Sequence, residues 1–408
     1  MNCYKTAAVI LLIGFAQTEF SLTANAQNSV PQTILMDGEK LAETKIRIDK
    51  GDPELKPALD ALLAAADAAL KQGPYSVTDK EVIAPSGDKH DYASYSRYWW
   101  PDPEKKDGLP FIRRDGETNP ESQSLKASDR QRIEVIGTHN EALGLAFYFT
   151  GEEKYAQKSA ELLRVWFLNP ETRMNPNLNH AQCRRGHNTG TKSGVLDGRM
   201  MVRGLEGALL LEGSSAFSNT ELQGLRDWVG DYLKWLQTGK LPLEEAASSN
   251  NHGSFFDAQT MYFALFSGNK EVAAKIAQEA IEKRVLAQIK PDGTMPEELA
   301  RTRPNFYSNY NLHALFVLGY LAKKVDVNIW NAGDGRLRAA VDYLAPYADP
   351  SKPWPHDSIK ENDRMNLFPI LKMADGAYPD GNYLQKLETL PLKDRQIRRE
   401  NLAFPLLR

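Results

Sequence analysis

The sequence predicts an all-α protein, specifically an α/α toroid, which is an incomplete barrel of antiparallel helical hairpins. Apolar residues recur at helical spacing through most of the chain, whereas long alternating strand patterns are scarce. One hairpin pattern occurs twice, as AFYFTGEEKYAQKSAELL and ALFSGNKEVAAKIAQEAI, with a turn centred on Gly151 or Gly268 between two helices. Such hairpins bury their apolar stripes only against neighbouring hairpins, and their irregular lengths favour a ring over a linear solenoid.

Helical periodicity places the predicted elements along the chain. It covers residues 53–73, 140–151, 152–168, 207–214, 220–239, 258–289, 312–324 and 335–347. The polar, aromatic-rich segments 74–135 and 170–198 are expected to form loops over one end of the ring. A cleft is therefore expected at that end.

Residues 1–26 have the pattern of a secretory signal peptide. Lys5 precedes the apolar run AAVILLIGFA, and ANA at residues 24–26 resembles a signal-peptidase site. We therefore expect a mature single domain, residues 27–408, exported to the periplasm of a Gram-negative cell. No later run of about 18 apolar residues appears, so no membrane span is expected. Cys183 would be the only thiol left, which excludes an intrachain disulfide.

The charge balance argues against partners that are recognised by bulk charge. Fifty lysines and arginines face 53 acidic residues, giving a net charge of -3. Nucleic acid and membrane surfaces are therefore not expected as partners, and an acidic ligand would need a local basic cleft. The seven histidines form no short metal-binding motif, and no phosphate-binding glycine loop is present. We expect no metal or cofactor, and the sequence leaves the oligomeric state open.

The stretch SSNNHGSFFDAQ, residues 248–259, concentrates hydrogen-bonding side chains where a helix is about to begin. Residues 248–250 are good helix N-caps, so capping alone is one interpretation. Capping does not explain Asn251 and His252 placed together before Gly253, which allows close approach of another group. An imidazole can transfer protons near neutral pH, and an amide can donate hydrogen bonds to an anion.

A second polar stretch, DGTMPEELARTRPNFYSNYN, spans residues 292–311. Pro304 suits a first helical turn, which puts Arg301 and Arg303 on the incoming loop and Tyr307 within the first turns, on one face with Tyr310. The positive helix end and a neighbouring guanidinium both favour a phenolate, so Tyr307 is a candidate acid or base. Alternatively, both tyrosines belong to the core. The two arginines would then pair on the surface with Glu297 and Glu298.

The two stretches together resemble the alginate lyase family of polysaccharide lyases, whose members are α/α toroids. NNH stands before one helix and PEELARTRPNFYSN runs into another. The resemblance implies an active site of Asn251, His252, Arg301 and Tyr307. The spacing from Arg301 to Tyr307 departs from the family pattern by one residue, and a serine follows Tyr307 where the family often has histidine. The choice between Arg301 and Arg303 therefore stays open.

These residue types fit β-elimination of a 4-linked uronate. Removal of the C5 proton requires that the neighbouring carboxylate charge be masked, which Asn251 and Arg301 could do. A base takes the proton while an acid protonates the departing O4. In mannuronate and glucuronate both atoms lie on one ring face, so Tyr307 alone could serve; in guluronate they lie on opposite faces, which requires a second group such as His252.

Two loops are candidate substrate walls. YSRYWWPDP, residues 95–103, offers aromatic faces that stack on sugar rings, although buried tryptophans are as common in a helical core. CRRGHNTGTKSG, residues 183–194, is a candidate polyanion-binding loop or an exposed basic turn. The expected substrate-binding residues are Tyr98, Trp99, Trp100, Arg184, His187, Asn188, Arg303 and Tyr310.

Two other functions remain open at this stage. A glycoside hydrolase on the same toroid would use paired carboxylates as acid and base, chosen from Asp197, Asp257, Glu297 and Glu298. A noncatalytic periplasmic glycan-binding protein would need the aromatic and basic loops but neither His252 nor Tyr307. The expected partner in each case is a polysaccharide, acidic in the case of the lyase.

Overall fold

A computed structural model describes residues 30–114 and 116–407. The predicted signal peptide, residues 1–26, lies outside the described residues. Within them, no helix is both long enough and apolar enough to cross a bilayer.

Helices dominate the described chain, as the sequence predicts. They are α1 (Gly38–Asp49), α2 (Lys56–Leu70), α3 (Arg130–Thr150), α4 (Glu153–Leu163), α5 (Arg199–Leu209), α6 (Asn219–Thr238), α7 (Lys240–Ala246), α8 (Asn251–Phe266), α9 (Lys270–Ala280), α10 (Pro296–Leu299), α11 (Pro304–Ala322), α12 (Ala332–Leu344), α13 (Leu367–Ala377), α14 (Tyr383–Leu387) and α15 (Leu392–Gln396). π-Helical turns extend α4 over Arg164–Leu168 and α9 over Ile281–Leu286.

The fold is an α/α toroid with two layers of helices. An inner layer of α3, α5, α8, α11 and α13 packs in chain order, and α2, α4, α6, α9 and α12 lie against it from outside. The outer helices bury one stripe, whereas the inner ones are buried on nearly all sides. In α8, every residue except His252 and Leu265 is buried. His252, which is polar and partly exposed, therefore differs from the rest of this buried helix.

Both predicted hairpin turns are confirmed. Gly151 ends α3 with a left-handed backbone at φ 71°, and Gly268 separates α8 from α9 at φ 82°. This conformation costs glycine little because it has no Cβ atom, so the chain reverses within a few residues. The helices α4 and α9 then fold back against α3 and α8.

Close contact between α3 and α5 depends on glycines on both helices. A Cβ atom on Gly144 would lie 2.3 Å from the carbonyl oxygen of Gly207, and one on Gly207 would lie 2.1 Å from that of Asn140. Neither position can carry a side chain unless the helices move apart. This approach brings the first turns of α3 and α5 to the same end of the toroid.

The two predicted loop segments contain the short strands. They are β1 (Ala93–Tyr95), β2 (Trp99–Trp100), β3 (Ile112–Arg113) and β4 (His180–Cys183). Strand β1 pairs in parallel with β4, while β2 and β3 form an antiparallel pair in which Trp99 faces Arg113. The β1–β4 pairing ties segment 74–129 to segment 170–198.

The ends of the described chain meet across the inner helices, and we call residues 30–37 and 399–407, together with Glu141, Arg203 and Glu206 of α3 and α5, the terminal region. Glu206 of α5 accepts backbone hydrogen bonds from Ile34, Leu35 and Met36 at 2.9–3.1 Å. The amide of residue 37 donates to the carbonyl of residue 404 at 3.0 Å. Buried Glu141 of α3 accepts hydrogen bonds from Arg203 of α5 and from Arg399.

Candidate active site

A cavity of about 380 Å³ lies where the inner helices begin. The first turns of α3, α5, α8 and α11 form its floor through Arg130, Arg199, His252 and Tyr307, each with neighbours from the same turn or loop. A helix presents free N–H groups and a partial positive charge at this end. Four such ends directed at one cavity favour an anionic ligand.

The charged side chains that line the cavity reinforce this preference. They are six arginines: Arg97, Arg113, Arg130, Arg184, Arg199 and Arg301. Among the described residues, no aspartate or glutamate lines it. Although the chain as a whole is slightly acidic, this site is a local basic cleft of the kind an acidic ligand requires.

The opening stretch of α8 combines capping with other roles. Asn250 is the N-cap residue, and its side chain accepts a hydrogen bond from the His252 amide at 3.1 Å. Asn251 is buried beside Glu298 of α10, whose carboxylate accepts from its backbone N–H at 2.6 Å and from its side-chain Nδ2 at 2.7 Å. A carboxamide carries two N–H donors, so one remains for a ligand.

Burial of Glu298 beside Asn251 disfavours the charged form of its carboxyl group. Burial raises the pKa of its carboxyl group, while the two hydrogen bonds from Asn251 and the nearby Arg301 charge act in the opposite direction. The side chain is almost fully buried, so the alternative that places it in a surface ion pair with the arginines is wrong. Glu298 fixes the orientation of Asn251 at the cavity wall.

His252 is fixed by a second carboxylate. Its Nδ1 lies 2.5 Å from Oε1 of Glu245, the fully buried penultimate residue of α7. The imidazole side chain remains 31% exposed, and it lines the cavity. The ring is therefore held at one nitrogen while its edge stays accessible to a ligand.

Gly253 completes this stretch, because a buried guanidinium passes directly beneath it. Arg284 donates to the carbonyls of Ala246 and Ser248, each at 2.7 Å, and pairs with Asp257 at 2.7 Å. A Cβ atom on Gly253 would lie 2.4 Å from Nη1 of Arg284. The expected close approach is thus to a group that anchors the loop between α7 and α8.

Arg301 and Tyr307 form the opposite part of the site. The Arg301 guanidinium carbon lies 3.6 Å from the centroid of the Tyr307 ring, and both residues line the cavity. Pro304 opens α11, as predicted, and Arg303 directly before it is the N-cap residue. The side chain of Arg303 instead lies over Phe306 at 4.4 Å and is not among the lining residues. This geometry favours Arg301 over Arg303 as the guanidinium of the site.

Known proteins of one enzyme family match this chain. The alginate lyase family model matches residues 76–354. An alginate lyase from Bacteroides ovatus is 40% identical, with 91% of this chain and 99% of that chain aligned at a TM-score of 0.86. The chain belongs to the alginate lyase family. It is accordingly a polysaccharide lyase with an α/α toroid fold.

A more distant structure supports the fold alone. Alginate lyase A1-III from Sphingomonas species A1 aligns over 92% of this chain and 95% of its own at a TM-score of 0.57, with 13% identity. A search among curated proteins finds no match.

The carboxylates considered for a hydrolase do other work in this lyase. Asp197 is buried and accepts hydrogen bonds from Arg130, from Tyr92 at 2.9 Å and from Gln182 at 2.9 Å. Asp257 pairs with Arg284, and burial raises the pKa of its carboxyl group. Glu298 holds Asn251, and neither these three nor Glu297 lines the cavity. The cavity thus offers no carboxylate pair for hydrolysis among its described residues.

Only some of the predicted substrate-binding residues belong to the lining. Tyr98, Trp99, Arg184 and Tyr310 line the cavity, whereas Trp100, His187 and Asn188 do not. His187 bonds the carbonyl of Phe111 at 2.8 Å and meets the Trp99 ring edge-on at 4.9 Å. The side chain of Asn188 accepts from the Arg184 amide at 3.1 Å. These two residues support the lining residues from behind.

Trp100 is also outside the lining. Its indole donates to the carbonyl of Glu117 at 3.1 Å, and Arg114 lies over its ring at 5.3 Å. It thus braces the β2–β3 pair that presents Trp99.

In the described part of the chain, no group of three potential metal ligands comes together.

Sequence reasoning did not single out several lining residues. These are Arg97, Arg113, Arg130, Gln182 and Arg199. Arg130 and Arg199 could have been found from their position, because they are the first residues of α3 and α5. Glu245 was missed as well, because nothing in its helix distinguishes it from the neighbouring Glu244.

Proposed function

We propose that this lyase cleaves alginate or a similar 4-linked polyuronate by β-elimination in the described cavity. The observation that carries the proposal is the convergence of Asn251, His252, Arg301 and Tyr307 on one basic cavity whose described lining lacks carboxylates. A neutral polysaccharide would not offset so many cations, whereas each uronate residue brings one negative charge.

Asn251 and Arg301 would neutralise the carboxylate of the reacting sugar. The second N–H of the Asn251 amide and the Arg301 guanidinium are both donors suited to a carboxylate oxygen. Their hydrogen bonds strengthen as negative charge moves onto that carboxylate when the C5 proton leaves. Stabilisation that grows toward the transition state accelerates the reaction.

Tyr307 would transfer the proton. The C5–H bond breaks, a double bond forms between C4 and C5, and the C4–O4 bond breaks as O4 receives a proton. The Arg301 charge over the Tyr307 ring and the positive end of α11 both stabilise a phenolate that can accept the first proton. In mannuronate the two reacting atoms share a ring face, so the same phenol can protonate O4.

Substrate stacking and further charge contacts come from the loops and from Tyr310 of α11. Trp99 and Tyr98 offer aromatic faces, and Arg184 lies with its guanidinium 4.8 Å from the Trp99 ring centroid. Tyr310 packs on Phe255 at 4.1 Å and borders the cavity. We assign these residues to binding of the sugars next to the reacting one.

A panel of pure polymers tests the proposal. Polymannuronate, polyguluronate, glucuronan and a neutral glucan are incubated with the protein, and ultraviolet absorbance and reducing ends are both measured. Elimination generates a conjugated double bond, so we expect absorbance and reducing ends to rise together, fastest on polymannuronate. Reducing ends without absorbance would indicate hydrolysis. Binding without either signal would indicate a glycan-binding protein.

We also propose that the protein is exported to the periplasm after removal of residues 1–26. The support is the pattern of Lys5, the apolar run and the ANA site. Mass determination of the protein recovered from the periplasm of a Gram-negative host tests this directly. A mature N-terminus at Gln27 is the expected result, and an intact Met1 in the cytoplasm would contradict it.

A further inference from the structure

The contact behind His252 has a specific chemical consequence. Glu245 lies at the end of α7, across a helix break from His252 at the start of α8. Its Oε1 is 2.5 Å from Nδ1, and the glutamate side chain is fully buried. An ionised carboxylate can only accept a hydrogen bond, so opposite an ionised Glu245 the hydrogen of this contact would sit on Nδ1.

The remaining ring nitrogen is the one available to a ligand. With the hydrogen on Nδ1, Nε2 of a neutral imidazole carries the lone pair. His252 is partly exposed at the cavity, in a helix that is otherwise almost wholly buried. The ring edge away from Glu245 is therefore the one that a substrate can reach.

The surroundings hold Glu245 in place. Arg284 donates to the carbonyl of Ala246, the last residue of α7, and to that of Ser248 in the break itself. The Ser248 hydroxyl lies 3.4 Å from the second carboxylate oxygen of Glu245 and 3.1 Å from Nζ of Lys192. Contacts on both oxygens and on the adjoining backbone limit rotation of the carboxylate. Such support is typical of residues that orient a functional histidine.

We propose that Glu245 is a positioning residue that fixes the tautomer and the ring orientation of His252, so that Nε2 is presented to the sugar. The proposal rests on the polyuronate lyase activity proposed above. Glu245 does not touch the substrate; it acts through His252. Its role parallels that of Glu298, which orients the neighbouring Asn251.

Kinetics of Glu245→Gln and of a matched control, Glu244→Gln, test this role. Glu244 precedes Glu245 in α7 and is about half exposed, with Lys240 4.0 Å away. For Glu245→Gln we expect kcat to fall roughly 10- to 100-fold with little change in KM, as when the partner behind a metal-bound histidine is removed. Glu244→Gln should retain full activity. Circular dichroism checks that both variants are folded.

A double-mutant cycle separates positioning from a general structural effect. In a His252→Ala background, Glu245→Gln should cause no further loss of kcat, because its effect passes through the imidazole. An equal loss in both backgrounds, or full activity of the single Glu245→Gln variant, would overturn the proposal.

Nuclear magnetic resonance of ¹⁵N-histidine-labelled protein gives a readout that needs no substrate. The ring signal that disappears in His252→Ala should show the Nδ1–H tautomer in the wild-type protein, and Glu245→Gln should lose that preference. If Glu245→Gln fails to fold, the wild-type spectrum still decides: a proton on Nε2 contradicts the proposal. A wild-type protein that cleaves no polyuronate would overturn the proposed function and leave this result standing.

Discussion

The cavity and the terminal region both place charged side chains on the inner helices, but they balance those charges differently. In the terminal region, Glu141 is fully buried and is matched by Arg203 and Arg399. Burial alone would raise the pKa of the Glu141 carboxyl group, yet these two guanidinium groups lower it to about 2. The charges of this region are balanced within the protein itself.

The cavity follows the opposite arrangement. Its six arginines and four helix N-termini face a space whose described lining contains no carboxylate. The carboxylates nearby, Glu245, Glu298 and Asp197, lie behind lining residues and orient them. Arg130 is paired with Asp197 behind the wall, but the described lining itself presents no carboxylate to the cavity, so an acidic substrate of the kind proposed above would meet only positive charge there. Charge on the inner helices thus pairs within the protein at one place and, in the proposed function, serves to bind a polyanion at the other.

Replacement of Tyr307 tests the cavity side of this comparison most strongly. Tyr307→Phe keeps the ring under Arg301 but removes the proton-transfer group, so kcat on the best polyuronate should fall about 10²- to 10⁴-fold. The melting temperature should change little. Ultraviolet absorbance measures the rate, and Tyr343→Phe, outside the cavity lining, is the control. A fully active Tyr307→Phe variant removes Tyr307 from the mechanism.

The neighbouring arginines give a matched pair. Arg301→Ala should lower kcat about 10²- to 10³-fold, the cost of removing one preorganised donor from a developing anion. Arg303→Ala should have a much smaller effect, because its guanidinium lies over Phe306 and not in the cavity lining. Initial rates on the same polymer compare the two. Equal losses of kcat in the two variants would mean that turnover depends on positive charge near α11 and not on the position of Arg301.

The sequence predicted the outer parts of the fold better than the starts of the inner helices. Residues 220–239 correspond closely to α6, Asn219–Thr238, because an amphipathic stripe marks both ends. The periodic segments of the inner helices begin at residues 140, 207, 258 and 312, whereas the helices begin at Arg130, Arg199, Asn251 and Pro304. The first turn of each helix carries a polar side chain that lines the cavity, and the apolar periodicity does not extend back to it.

Local capping signals recovered two of those four starts. Asn250 and Pro304 marked α8 and α11, and these are the helices whose site residues the sequence indicated. No cap side chain bonds the start of α3 or α5, so Arg130 and Arg199 were missed. The partnership of Glu245 with His252 depends on the angle between α7 and α8, which a sequence pattern does not encode. Helices α1 and α13 were also not predicted.

Glu141→Gln tests the terminal region, as the replacements of Tyr307 and Arg301 test the cavity. Glutamine retains one acceptor oxygen but not the charge, so the free energy of unfolding should fall by about 1.5–3 kcal/mol. Activity at temperatures below the transition should be unchanged, because Glu141 does not line the cavity. Urea titration and initial rates measure the two effects. A Glu141→Gln variant with normal stability and impaired turnover would contradict the division between the regions.

The same residue predicts how stability depends on pH. The pKa of Glu141 is about 2 in the folded protein against an ordinary value of 4.5. A carboxyl group with a lowered folded-state pKa contributes stability that is complete above its unfolded pKa and is lost as pH falls through its folded one. The stability difference between wild type and Glu141→Gln should therefore shrink from about pH 4.5 down to pH 2. A difference that stays constant over this range would exclude ionisation of Glu141 as its source.

Added salt should affect the cavity more than the terminal region, and this is the smallest of the expected effects. Mobile ions screen charges at a solvent-filled cavity, since the Debye length falls from about 10 Å at 0.1 M to about 3 Å at 1 M. The KM for a polyuronate should therefore rise several-fold over this range. Glu141 is fully buried, so its pairs with Arg203 and Arg399 are screened much less and the melting temperature should change little. A KM insensitive to salt, together with a falling melting temperature, would contradict the comparison. It would mean that the Glu141 ion pairs, and not the cavity arginines, are exposed to screening.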